Sequence, residues 1–400
     1  MPAYDPGSPP QARNRITPSL AVGAKLELDY EFRRHWDLNR GEDDRSTLAP
    51  EPSLAGSFAP HAGMRAFLSL QLSRRFALGR PANGDRELAI ELQQAYLQLS
   101  SRGGGTYSVQ LGRQRFKDRR EWIYDAELDG MRFRYDTKAL DMEFSLTRGH
   151  EPGRGSQDEP VNALSLEADL KPASQIRVGA YVLRRGREAG GRGRTVLLGL
   201  RSSGDVAPDF EYWAQLARLG GWEDSLRLQA TGLDAGVTYQ PDVPLRPALT
   251  IAYAYGSGDH DPEDGRDGTF RQTGLQGNQD RFAGVTNLKY YGELLDPELS
   301  NLAIATVGLG VRPTRRSSVE LILHDYYQPT PSTGLRDANV SADPSGRHQD
   351  IGREIDLVMG CREIRDVTLR LVLGWFRPGR AFEDEAESST FGELSIDFRI

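Results

Sequence analysis

Four hundred residues are enough for two or three ordinary domains or for one large barrel. Hydrophobic residues make up 38% of the chain, below the ~45–50% of an ordinary globular protein, and no apolar run approaches the ~18–20 residues of a membrane helix, which excludes a helical membrane protein. The formal charge is −7, and Cys361 is the single cysteine, which excludes a disulfide framework and a thiolate metal site.

Met1 to Pro10 is polar and proline-rich and carries no basic segment followed by an apolar core, so the chain as it stands shows no signal peptide. It reads as a mature sequence with a start methionine added, with residues 1–18 forming a polar N-terminal segment. From Leu20 onward Val22, Ala24, Leu26, Leu28, Tyr30 and Phe32 share one face, with Lys25, Glu27, Asp29, Glu31 and Arg33 on the other. Strict alternation of this length predicts a strand and excludes a helix. The stretch 36–61, rich in Asp, Pro, Ser and Gly, reads as a long loop. Met64, Ala66, Leu68, Leu70 and Leu72 then repeat the pattern. Leu88, Ile90 and Leu92 share one phase while Ala95, Leu97 and Leu99 take the other, so a bulge is expected at Gln93-Gln94.

Gly112-Arg113-Gln114-Arg115-Phe116 follows, then a polar loop and the return Glu127-Leu128-Asp129-Gly130-Met131. Val109 and Leu111 alternate with Ser108 and Gln110 on the way in, and Met131, Phe133 and Tyr135 with Arg132 and Arg134 on the way out. Arg113 shares the phase of Val109 and Leu111, where a charge facing lipid near the bilayer midplane costs ~2–4 kcal/mol, so a bulge is expected here too. Further alternating segments run at 140–147, 164–170, 176–182, 247–255, 303–311, 319–323, 355–359 and 369–373, with shorter candidates between 196 and 239. Cys361 is in phase with Ile355, Leu357 and Met359 as a wall residue.

Between Gly256 and Asn301 the alternation stops for a polar segment with Asp259, Asp261, Asp264 and Asp267. It lacks the regular spacing of a calcium loop and reads as a solvated one. The chain ends Leu394-Ser395-Ile396-Asp397-Phe398-Arg399-Ile400, an amphipathic terminal strand suited to closing a barrel without an edge. The fold expected is all-β: a transmembrane antiparallel up-and-down β-barrel of about eighteen strands spanning 19–400, with long loops near 36–61 and 257–300. Short and long connections should alternate around it, but this assignment loses the alternation near 256–301, as if one strand were miscounted.

Gly112-Arg113-Gln114-Arg115, Glu127-Leu128-Asp129, Tyr253-Ala254-Tyr255-Gly256-Ser257-Gly258-Asp259, Phe270-Arg271-Gln272-Thr273-Gly274-Leu275, Gly292-Glu293, Glu298-Leu299-Ser300-Asn301-Leu302, Gly352-Arg353-Glu354-Ile355-Asp356-Leu357-Val358 and Phe376-Arg377-Pro378-Gly379 together resemble the alginate export family of outer-membrane porins. The likeness runs from about residue 20 to the end, and the chain departs from longer members in its compact early loops. The resemblance implies an eighteen-stranded barrel in a Gram-negative outer membrane. An anionic polysaccharide, an alginate-like polyuronate, would leave the periplasm through an arginine-lined constriction partly closed by inward-folded loops. It also implies a monomer with outer-membrane lipid around it and periplasmic export or synthesis proteins as partners, and no nucleic acid, cofactor or metal.

Lys25, Lys117, Lys138, Lys171 and Lys289 are the only lysines among 50 basic residues, and the rest are arginine. Arginine is the planar, always-charged carboxylate binder, although GC-rich codon use gives the same bias. The pore-lining candidates are Arg113 and Arg115 from the signature, Arg271 and Arg281 from the long polar segment, and Arg132, Arg134 and Arg370 from strand alternation. The lumen-phase acids, Glu354 and Asp356 among them, together with Asp129, are expected to pair with these arginines and hold them extended. Conduction asks for binding strong enough to enter and weak enough to leave. No nucleophile elbow, zinc-protease motif or phosphate loop is present, so no enzyme is expected, with His324 beside Asp325 the nearest thing to a base. A general or substrate-selective porin for small anions or sugars fits the same barrel, and a soluble sandwich is a third reading.

Overall fold

The computed structural model describes residues 11–39, 44–78, 88–102, 105–150, 160–173, 175–187, 193–223, 225–383 and 385–400. The chain forms a closed antiparallel barrel of eighteen strands, and no helix occurs among the described residues. The strands are β1 (Leu20–Arg34), β2 (Arg45–Phe58), β3 (Met64–Ser73), β4 (Ala89–Arg102), β5 (Thr106–Lys117), β6 (Asp125–Asp136), β7 (Leu140–His150), β8 (Pro160–Ala173) and β9 (Ile176–Arg187). They continue as β10 (Gly193–Ala207), β11 (Phe210–Glu223), β12 (Leu226–Tyr239), β13 (Ala248–Gly256), β14 (Leu302–Thr314), β15 (Ser317–Tyr327), β16 (Asp350–Cys361), β17 (Val367–Pro378) and β18 (Ser389–Arg399). Each strand pairs with its successor, and β18 returns to β1 from Lys25 opposite Arg399 to Arg34 opposite Thr390. Closure leaves no strand edge with unpaired N–H and C=O groups, as a wall in lipid requires.

The alternation seen in the sequence becomes an outside and an inside. Leu26 is 44% exposed while its neighbour Glu27 is 7% exposed, so the apolar phase points out and the charged phase in. Gln93 is skipped in the β3–β4 register, which is the expected bulge. Two expectations are corrected. The connection 257–301 joins β13 to β14 at the same end as the other long connections, so no strand is missing there; the alternation of lengths fails instead at β12, which is joined to β11 by two residues and to β13 by eight. The supposed loop 36–61 contains β2, paired with β1 from Leu20 opposite Phe58 to Arg33 opposite Arg45. Its prolines disguised it: Pro50 and Pro52 fall where β2 has no partner on its other side, between the pairings of Ser46–Leu48 and Ser53–Phe58. Proline is tolerated at such an interrupted position because it has no N–H to offer a ladder.

The β5–β6 hairpin does not stay in the wall. Pairing of β5 with β4 stops at Arg113, and pairing of β6 with β7 stops at Asp129, yet β5 and β6 remain paired to each other up to Lys117 opposite Asp125. The hairpin tip therefore leaves the sheet on both flanks and leans inward. Gly112 lies opposite Gly130 just below the departure. Gly112 has φ +120°, and a Cβ there would meet the Ala95 carbonyl oxygen at 2.3 Å; one on Gly130 would meet that of Leu146 at 2.3 Å. Only glycine fits a left-handed backbone pressed this closely on its neighbour. No register shift occurs at Arg113, so the bulge expected there is absent, and the whole hairpin tip bends away instead.

Gly112→Ala is expected to lower stability by about 1–3 kcal/mol through backbone strain and contact with Ala95. Gly56→Ala, where an added Cβ meets nothing within 4 Å, is expected to be near neutral. Urea unfolding midpoints of the two variants check the contrast.

Candidate functional site

The connection 257–301 runs through the barrel from end to end. It starts beside Ser257, reaches the short-turn end where the Ala283 carbonyl accepts bonds from Gln240 at 3.4 Å and Arg312 Nε at 2.6 Å, and returns to Asn301. Such an irregular segment carries backbone groups that need partners. The wall supplies them from strand side chains. Glu354 accepts the N–H groups of Leu294 (2.7 Å) and Leu295 (3.0 Å), Asp356 accepts that of Glu293 (3.1 Å), and Glu320 that of Ala283 (3.1 Å). Glu354, Asp356 and His324 are fully buried at this seam, with His324 Nδ1 2.9 Å from Thr306 Oγ1.

The inward-leaning hairpin docks on the same segment. Asp118 turns its loop by accepting the N–H groups of Trp122 (3.2 Å), Ile123 (2.8 Å) and Tyr124 (2.8 Å). Gly277 and Asn278 donate to the Glu121 carbonyl at 3.0 and 3.1 Å, and Gln272 donates to that of Trp122 at 2.9 Å. Arg120 is clamped between the rings of Trp213 (4.2 Å) and Tyr290 (4.3 Å) and bonds Asp280 at 2.9 Å. Burial pulls the Arg120 pKa down, but Asp234 and Asp280 outweigh it and hold it above the ordinary guanidinium value. Trp122, Phe270, Leu294, Tyr326 and Phe376 belong to the apolar core that results, to which, among the described residues, β1–β4 contribute nothing. The lumen is therefore filled from one side.

On the other side a cavity of about 630 Å³ opens between Gln71, Glu91 and Gln93 of the wall and Arg113, Glu127 and Asp129 of the hairpin. Below the hairpin a chamber of about 230 Å³ is lined by Arg119, Arg134, Arg177 and Arg201 with Asp141 and Asp169 among others. The seven arginines singled out in the sequence are spread over these features rather than gathered in one ring. Arg113 lies 3.7 Å from Asp129 and bonds the Leu92 carbonyl at 2.9 Å. Arg115 is bidentate to Asp125, with the longer bond 2.6 Å. Arg132 is buried against Phe116, 3.9 Å from its ring centre, and shares Glu143 with Arg134. Arg271 bridges Glu223 and Asp267, and Arg370 bridges Glu293 and Glu393 while bonding the Asn287 carbonyl at 3.1 Å.

Arg281 is different. It is exposed near the inner turn of the long connection, with no side-chain partner among the described residues. Arg362, in the turn before β17, is held below its ordinary value first by burial and then by Arg281 and Arg399, with Asp397 opposing. Sequence reasoning missed Arg119, Arg177, Arg201 and Arg362, of which Arg177 alone had been placed on a strand. It also misassigned two acids: Glu354 and Asp356 hold backbone N–H groups and not arginines, because the loop they grip lies some 60 residues away in the chain and leaves no trace in strand periodicity. Among the described residues no group of three His, Cys, Asp or Glu side chains could hold a metal ion.

Glu354→Gln combined with Asp356→Asn is expected to speed hydrogen exchange of the Glu293–Leu295 amides about tenfold, since each weakened acceptor costs docking ~0.5–1.5 kcal/mol. Loop docking should also depend on pH. Glu121 is raised above the ordinary carboxyl value by burial and then by Asp125, with Lys117 opposing. Glu298 is raised from 4.5 to about 7, again by burial first. A released loop would restore both to ordinary values, so docking takes up protons: it is strongest below about pH 4.5 and weakens as pH rises through 7. Exchange of residues 270–298 is expected to be faster at pH 8.5 than at pH 6 after correction for intrinsic rates, and Glu298→Gln should flatten the difference.

The family model for Alginate export matches residues 19–392. The chain is 25% identical over 349 residues to the alginate production protein AlgE of Pseudomonas aeruginosa, covering 72% of this chain and 70% of that one. It is 26% identical over 160 residues to the Azotobacter vinelandii protein of the same name, 34% of this chain and 33% of that one. Among solved structures it is similar to Acinetobacter baumannii OccAB4 (TM-score 0.65, 9% identity, 96% of this chain and 98% of that one) and Pseudomonas aeruginosa OccD3 (TM-score 0.63, 13% identity, 98% and 95%). At these identities the structures speak for the fold alone, an outer-membrane barrel with its short turns at the periplasmic end. With a match over nearly its whole length on such a barrel, the chain belongs to the alginate export family and is a protein of the Gram-negative outer membrane.

Proposed function

We propose that the barrel passes an anionic polysaccharide, an alginate-like polyuronate, from the periplasm to the exterior, guided by arginines. The observation that carries this reading is the basic group at the periplasmic end. Arg281 projects there from the long connection, within electrostatic range of Arg312 and Arg362, and Arg246, Arg316 and Arg399 act on the same pair. A polymer with one carboxylate per sugar would meet this group first. Arg119, Arg134 and Arg177 line the chamber beyond it, and Arg113 and Arg115 lie on the hairpin beside the outer cavity. Most of these inner arginines are already paired with acids, which keeps each contact weak enough to release. Polymer made in the periplasm, with synthesis proteins there and a single barrel above, would supply the direction that a passive pore lacks. No step in this passage calls for catalysis.

The alternative is a substrate-selective porin for small anions or sugars. It is favoured by the acids on the open side of the lumen, since Asp29, Glu31, Glu51 and Glu91 share the inward phase of β1, β2 and β4. Single-channel current in a planar bilayer separates the two. For polyuronate passage the channel is expected to prefer anions in a salt gradient and to be blocked by polymannuronate. Arg281→Ala with Arg362→Ala should weaken that block roughly tenfold, as for the loss of one or two charged contacts of ~1 kcal/mol, without changing heat-modifiable gel mobility. An unblocked channel would overturn polymer passage and leave the small-solute porin.

A further inference from the structure

The outer wall carries charges that passage through the lumen does not use. On β9–β12 the register arranges the outward-facing residues in rows. Nearest the extracellular end, Arg194 lies beside Trp222 and Trp222 beside Arg227. The next row holds Arg184, Val196 and Gly220, and the next Leu198 and Arg218. Below them comes the apolar row Leu200, Leu216, Leu233 and Tyr255. All four arginines are exposed, and Trp222 is 54% exposed. None of the four makes an ion pair among the described residues. A different arginine of the outer wall, Arg353, is matched, lying 3.1 Å from Asp325.

The patch stands at a definite depth. Strands rise about 3.3 Å per residue and tilt by ~40°, which advances about 2.5 Å along the barrel axis for each residue. At the periplasmic rim Phe210 meets Tyr239 with ring centres 4.6 Å apart, as an aromatic girdle does. Trp222, at the other end of the same strand, then lies about 30 Å above that girdle, at the outer headgroup level. Arg218 is about 10 Å lower, where an unpaired guanidinium facing acyl chains is costly and its long side chain reaches upward for a counter-charge.

We propose that Arg184, Arg194, Arg218 and Arg227, with Trp222 between them, form a binding site on the outer wall for the phosphate-bearing headgroup of an outer-leaflet glycolipid. Arginine takes phosphate bidentately, and lysine is absent from the patch. The leucine row beneath provides the surface along which acyl chains would lie. Charge and depth select this occupant: four positive groups with no acidic partner among the described residues sit at or just below the level of the headgroups, above an apolar band.

Native mass spectrometry of the refolded protein in neutral detergent, titrated with bisphosphorylated lipid A, tests this. One bound lipid per chain is expected, with affinity reduced about tenfold or more in Arg194→Gln/Arg227→Gln and unchanged in Arg353→Gln. Arg184→Gln/Arg218→Gln provides a second pair should the first not refold, as judged by heat-modifiable mobility. Equal affinity in the folded variants, or equal binding of fully dephosphorylated lipid A, would overturn the proposal. Displacement by polymannuronate would assign the patch to the polymer instead, and displacement by millimolar inorganic phosphate would reduce it to a free-anion site.

Discussion

A segment of irregular backbone held inside a barrel needs a partner for each of its polar groups, and this requirement governs the interior. A regular wall exhausts its own N–H and C=O groups in the ladder, so partners for the 257–301 connection have to come from side chains. Glu354, Asp356 and Glu320 fill that role from neighbouring strands by accepting successive N–H groups of the connection, and Arg312 and Arg370 donate to its carbonyls. The acids of the signature Gly352–Val358 and Arg370 of β17 are thus committed to position. What they position is the surface on which the β5–β6 hairpin comes to rest.

That hairpin shows how a local backbone choice sets the shape of the passage. Two glycines opposite one another release β5 and β6 from their neighbours, and the tip swings across to meet the long connection. Arg113 keeps the phase of the lipid-facing Val109 and Leu111, yet it lines a cavity with Gln71 and Gln93, whose side chains point into the lumen. Bending the strands changes what the outer face looks at. The charge that is costly against acyl chains becomes one wall of a polar cleft without any change of register.

Much of the wall was legible in the sequence. Alternation in β1, β3, β5 and β6 and in the terminal strand depends on nearest-neighbour pattern alone, as does the phase slip at Gln93. β2 was hidden because proline and serine are read as loop formers, whereas in the barrel its two prolines occupy a gap in the adjoining ladder. The roles of the candidate residues were harder to read, since a lumen-facing phase does not reveal the partner. Arg370 and Arg271 point inward as their phase and segment implied, but each bridges two acids, and Arg370 is nearly buried in doing so. The partners lie 23 to 77 residues away for Arg370, a separation that no local pattern encodes.

Seen as a whole, the net charge of −7 describes no part of this molecule. Positive charge inside the barrel is largely neutralised at close range, with Asp141 held by Lys171 and Arg177, and Glu143 shared by Arg132 and Arg134. Neutral pairing in a confined space limits how tightly any one anion is held, which suits a pathway more than a receptor. Among the described residues, Arg281 near the short-turn end and the exposed arginines around Trp222 on the outer wall are without an acid partner. Each of those places has bulk water or headgroups nearby, so an uncompensated guanidinium there is tolerated, whereas the same group in the dry plug would need a fixed partner. The distribution of pairing, more than the count of arginines, separates the residues that build the barrel from those that face what it handles.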